Sequence, residues 1–148
     1  MIDKKILWIT LGILIAFDNI YSYIAIVDHG MREWNPIAAY FVSISPLWYF
    51  LSIPLTVVVL HFVIKFVGWI DVKTEKTKKQ EVRKFTEHLT LSCLVIAWGI
   101  GVTSFNFATF VNGFSNPSIR YETVLAVGAL SATAYAIYEG LKFQKRLW

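Results

Sequence analysis

The chain has 148 residues, 56% of them hydrophobic, 16% aromatic and only 16% charged, where a soluble domain carries about 25% charged residues. That much apolar surface does not fit inside a soluble domain of this size, because a globule of ~150 residues still exposes about 30% of its unfolded area. Long uncharged stretches, the gathering of ten charges into Asp71–His88, and one cysteine, Cys93, exclude a disordered chain, a nucleic-acid-binding domain and a disulfide-stapled module; the net charge of +4 is a topology signal.

The first apolar run, Ile6 to Val27, starts like a signal peptide, with two lysines before it. It continues past Asp18 and Asn19 and offers no small-residue cleavage site, so it reads as a transmembrane span of about 6–27. Its residues cover about 33 Å as a helix, enough for the hydrocarbon core. Asp18 opposes insertion by about 2.5–3.5 kcal/mol, while each Leu, Ile, Phe or Val favours it by about 0.3–0.6 kcal/mol. The run holds twelve residues of those four types. The helix can carry its acid.

The second run, Pro36 to Ile70, is too long for one span and is punctuated by Asn35-Pro36 and Ser45-Pro46. Each pair reads as an N-cap followed by proline at the first helical position, where a missing N–H is harmless. The expectation is a short interfacial or re-entrant helix over about 36–44 and a span over about 46–69, kinked at Pro54. A charged loop, 71–88, then forms a helical extension of the next span, with Glu75 and Lys79 paired at i, i+4 and an apolar stripe of Val82, Phe85 and Leu89. Spans three and four follow at about 89–111 and 121–142, separated by the turn signals Asn112-Gly113 and Asn116-Pro117.

The expected fold is therefore all-α, one integral membrane domain over 1–148 built as a four-helix transmembrane bundle. Four spans place twelve basic residues on one face, from Lys4 and Lys5 through the 71–88 loop to Arg146, and only Arg32 and Arg120 on the other. By the positive-inside rule both termini lie in the cytoplasm, giving a multi-pass protein of the cell membrane. Trp8, Trp69, Tyr138 and Trp148 on one side, and Tyr23, Trp34, Tyr40 and Tyr121 on the other, make two aromatic belts.

Between lipid-embedded helices, close backbone approach replaces the hydrophobic effect. The fourth span offers Gly128, Ala132, Ala136 and Gly140, a small residue at every fourth position. The third offers Ala97 and Gly101, Gly99 and Thr103, and Ser104 and Ala108; the first offers Gly12 and Ala16. These faces meet inside the protomer or across a homodimer or larger membrane complex. No nucleic-acid partner is expected.

Polar groups inside a bilayer are functional candidates by default. Asp18 lies about 20 Å along the first span, toward its far end; Asn19 follows it and Ser22 shares its face. Asn106 reaches a similar depth on the third span, with Glu33, Asn35 and Glu122 near the outer surface. A polar cluster of Asp18, Asn19, Glu33, Asn35 and Asn106 opening outward is geometrically reasonable. Asp18 and Glu33 could hold a hard cation through oxygens, or a desolvated Asp18 could carry a proton. Alternatively Asp18 bonds Asn106 to lock the helices, while Glu33 and Asn35 cap the helix at Pro36.

His61 has Lys65 at i+4 but no second soft ligand at metal spacing, and His88 belongs to the charged extension, where it is expected to be solvated. There is no phosphate loop and no nucleophile elbow, so no catalytic residue and no cofactor is assigned beyond the hard cation.

Asp18, Gly30 and Glu33-Trp34-Asn35-Pro36 together resemble a family of small multi-pass prokaryotic membrane proteins with an aspartate late in the first span, a glycine before the second helical segment and Glu-x-Asn-Pro at its start. The resemblance covers about residues 10–55. It implies that Asp18, Glu33, Asn35 and Pro36 belong to one outer site; Ser22 stands near the position of the family's threonine. The leading expectation is a non-enzymatic ion- or solute-handling unit or accessory membrane subunit. The rivals are an intramembrane enzyme acting on lipid or peptide, and a purely structural subunit of a larger complex.

Overall fold

The computed structural model describes residues 2–33, 36–74, 79–115 and 120–147, which form helices and short turns, with no strand among the described residues. The all-α fold is as the apolar runs require.

Helix α1, Lys4–Tyr23, starts at Asp3, whose carboxylate accepts the backbone N–H of Lys5 at 2.6 Å. It runs on through one wider π-type turn, Ile24–Asp28. Leu7, Leu11 and Ile15 recur every fourth residue and are buried, while Ile9 and Ile13, on other sides of the helix, are each 63% exposed. One stripe of α1 thus faces protein and the rest faces outward. The stripe closes on Ile64 and Leu91 to make the core.

Helix α2, Pro36–Ile44, matches the short segment read from the sequence, with proline at its first position. The chain then turns through Ser45, Pro46 and Leu47, closed by a Trp48 N–H to Ser45 carbonyl bond of 3.0 Å. Helix α3, Trp48–Thr74, begins two residues later than the proline rule places it and runs further at its other end. The turn uses Pro46 as a corner and spends its first residues on tight bonds. Pro54 stays inside the helix, where it has no N–H to give to the carbonyl of Phe50.

Helix α4, Lys79–Ala97, passes through a π-type segment, Trp98–Thr103, into α5, Ser104–Val111, forming one rod. The charged loop is therefore largely helix: Asp71–Thr74 completes α3 and residues from Lys79 onward open α4, while Glu75 of the expected Glu75–Lys79 pair lies outside the described residues. The stripe of that extension has a partner, since Phe85 stacks on Phe143 at 3.9 Å and Val82 is buried. Helix α6, Tyr121–Leu147, packs along α4 and the π-type segment. Helix α4 is central, touching α1, α3 and α6.

Among the described residues, four helices are long and apolar enough to cross a bilayer: Lys4–Asp28, Trp48–Lys73, Lys79–Val111 and Tyr121–Lys145. Their outward faces carry Phe62, Leu130, Val111 and other large apolar side chains fully in the open. In water such a surface would be an association site; against lipid tails it is already in its solvent. Four apolar helices of this kind fit a multi-pass membrane protein.

Candidate functional site

At the end of the bundle where α1 finishes and α2 begins, the helices leave a cleft of about 630 Å³. Its walls are largely apolar and aromatic, with Phe41, Trp48, Trp98, Phe105 and Tyr121 among them. The charged lining residues are Asp18, Glu33 and Arg32. With all three ionised, the cleft carries two negative charges against one positive, a formal −1.

Two chains of hydrogen bonds organise the polar part. Asn106 Nδ2 donates to Asp18 Oδ1 at 2.8 Å, joining α5 to α1. Asn106 is buried and Asp18 half-buried. Beside them, Asn19 Nδ2 donates back to the carbonyl of Ile15 at 2.8 Å. That leaves Asn19 Oδ1 to accept from Ser52 Oγ on α3 at 2.5 Å. Nearer the mouth, the Tyr49 hydroxyl donates to Glu33 Oε2. Tyr49 is only 3% exposed, so its phenol fixes the carboxylate from inside the protein.

The local backbone explains how these groups meet. After α1 the chain must turn sharply to deliver Glu33, and it does so at Gly30, whose φ of +66° favours glycine. The Met31 N–H reaches back to the Ala25 carbonyl at 3.0 Å and secures the turn. On the other side α5 is followed by Gly113 and Phe114, both left-handed, with φ of +62° and +60°. A phenylalanine there is strained by about 1–2 kcal/mol. Its ring stacks on His29 at 3.9 Å and on Tyr21 at 5.7 Å, tying the end of α5 to the turn after α1.

Of the residues singled out from the sequence, Asp18, Asn19, Ser22, Glu33 and Asn106 all line this cleft. Asn35 lies outside the described residues. Glu122 sits exposed in the first turn of α6. Tyr49 and Ser52 were not foreseen. They stand at i, i+3 at the start of α3, two hydroxyls in a mainly apolar first half of the helix, and that spacing is the available signal.

The small-residue stripe of α6 divides. A Cβ built on Gly128 would stand 2.8 Å from the Ala97 carbonyl oxygen, so α6 touches the backbone of the α4 rod there. Ala132 is buried, and its carbonyl accepts the Cys93 thiol at 3.5 Å. Ala136 is half-buried, and nothing lies within 4 Å of a Cβ on Gly140. His61 lies against the Trp8 ring at 5.7 Å. The expectation of a solvated His88 is corrected: α4 is held so closely that its Nε2 is buried, with no partner among the described residues.

At the opposite end of the bundle one charged residue unnoticed in the sequence stands out. Glu87 of α4 has a side chain only 5% exposed and receives Lys4, Lys65 and Arg83. No protein-family model, no curated protein and no solved structure matches the chain.

Proposed function

We propose that this is a non-enzymatic, multi-pass protein of the cell membrane, with both termini in the cytoplasm, whose outward-opening cleft takes a small cationic solute. The observation that carries the reading is the pairing of Asp18 and Glu33 in one cleft of about 630 Å³ with aromatic walls. Pockets of about 300–1,000 Å³ with apolar walls and a few fixed polar groups suit small molecules. Acidic oxygens and aromatic faces both attract a cation with an apolar body. The twelve-to-two distribution of basic residues supports the orientation, and the family resemblance at Asp18, Gly30 and Glu33 supports treating them as one outer site.

A bare hard cation held by Asp18 and Glu33 is the second reading, favoured by the oxygens of Asn19 and Ser52 nearby. The aromatic and apolar walls, Phe41, Trp48 and Phe105 among them, favour the organic cation over a bare ion needing 6–8 oxygens. The test is thermal unfolding of the detergent-solubilised protein with phenethylammonium, with 2-phenylethanol as the neutral comparison, and with Mg²⁺ or Ca²⁺. The reading expects phenethylammonium alone to raise Tm, and Asp18→Asn to abolish the rise. Equal stabilisation by the neutral alcohol would overturn it; a rise with the metal ions only would replace it with the second.

A further inference from the structure

The Glu87 cluster lies far from the cleft and has no part in the reading above. Three cations from three helices reach one carboxylate: Lys4 from α1 and Lys65 from α3 both meet Oε2 at 2.8 Å, and Arg83 Nε meets Oε1 at 3.2 Å. One negative charge answers three positive ones, so the cluster keeps a formal +2. The helices close tightly around it, since a Cβ on Gly68 would lie 2.8 Å from Glu87 Cγ. Glu87 is therefore sealed in, while Lys4, Lys65 and Arg83 keep 40%, 42% and 47% of their side chains exposed. A lysine has three N–H donors and an arginine five, and one bond each to Glu87 leaves most of them pointing elsewhere.

Depth says what they meet. From Glu87 to the end of α5 at Val111 is about 36 Å of helix, and the hydrocarbon core is about 30 Å thick. The cluster thus stands at headgroup level when α5 ends at the opposite surface. Trp69 on α3, with Lys73 Nζ 3.6 Å from its ring centre, marks the same border. Basic pockets between helices at this level bind phosphate headgroups.

We propose that Lys4, Lys65 and Arg83 form a binding site for the phosphate of an anionic lipid headgroup. Glu87 is the internal counter-charge that gathers the three cations while the site is empty. The phosphate takes the outward N–H donors, so it adds to the Glu87 bonds and does not compete with them.

The test compares Tm of the full chain in nanodiscs of phosphatidylglycerol and of zwitterionic phosphatidylcholine, and in detergent with inorganic phosphate. The expected result is a higher Tm in phosphatidylglycerol, most of it lost in Lys4→Gln/Lys65→Gln. Glu87→Gln, which keeps the shape and leaves three unneutralised cations, is expected to enlarge the difference between the two lipids even though its Tm is lower in both. A purely structural ion cluster would lower Tm equally in both lipids. Equal Tm in the two lipids for the parent, an unchanged or smaller difference in Glu87→Gln, or the same rise from inorganic phosphate alone would overturn the lipid site. Arg83→Gln removes the most exposed cation, and its expected smaller lipid difference carries the test where Glu87→Gln does not fold.

Discussion

Asn106 donates one hydrogen bond to Asp18 across 88 positions of sequence, at 2.8 Å, and so fixes α5 against α1 beside the cleft. Bonds of this kind between membrane helices contribute about 0.6 kcal/mol on average and about 1.7 kcal/mol at most. Asn106→Leu also leaves the Asp18 oxygen without that donor, at about 1–3 kcal/mol. The expected outcome is a clear loss of stability in Asn106→Leu and little loss in Asp18→Asn, whose amide oxygen can still accept the bond. Reversible unfolding by dodecyl sulfate in mixed micelles measures both. Equal losses would mean that the Asp18 charge, not the bond, holds the helices.

Tyr49 supplies the other fixed point, and Tyr49→Phe removes only the hydroxyl that donates to Glu33. The ring still fills its buried site, so the expected loss is that of one hydrogen bond to a charged group, about 1.5–3 kcal/mol. Glu33 then loses one of the contacts that fix it at the cleft mouth. Stabilisation by phenethylammonium is expected to weaken in Tyr49→Phe, as read by the same thermal-unfolding assay. Unchanged stabilisation would show that the Tyr49 bond does not position Glu33 for the ligand.

The large divisions of this fold were legible because each has a local cause: twenty-odd apolar residues make a span, and Asn-Pro and Asn-Gly make breaks. Asp18 was conspicuous because a charge in an apolar run has no local excuse. What joins it to Asn106 is packing between distant helices, and depth along each helix was enough to propose the pair. Tyr49 and Ser52 escaped notice because a tyrosine and a serine near a helix start are ordinary at an interface. Glu87 escaped because it sits among nine other charges in Asp71–His88, where solvation is the normal state. Its burial comes from Gly68 on the facing helix, which admits the side chain that any larger residue would displace. His88, which composition placed in solvent, likewise has its Nε2 buried.

Orientation can be read with thiol chemistry. Cys93 is half-buried and its thiol is engaged by the Ala132 carbonyl, so a membrane-impermeant maleimide is expected to leave it unlabelled in intact cells. Ser115→Cys, on an exposed turn after α5, is expected to label from outside. Lys79→Cys, exposed at the start of α4, is expected to label only after permeabilisation. The opposite pattern would invert the topology and place the cleft on the cytoplasmic side.

Gly128 and Gly140 lie three turns apart on one stripe of α6 and should respond to alanine in opposite directions. At Gly128 the new methyl would meet the Ala97 carbonyl oxygen at 2.8 Å and Gly101 N at 3.0 Å. Both are backbone atoms of a packed rod, which cannot yield as a side chain would. Gly128→Ala is therefore expected to cost about 1–3 kcal/mol through overpacking. At Gly140 nothing stands within 4 Å, and alanine gains about 0.8–1.0 kcal/mol of helix propensity. Gly140→Ala is expected to stabilise an isolated protomer by up to that amount in the dodecyl sulfate titration. Loss of stability at Gly140, with a smaller particle on size exclusion, would instead show that a second chain covers that part of the stripe in the membrane. In that case the upper part of the stripe packs within the protomer and the lower part between protomers.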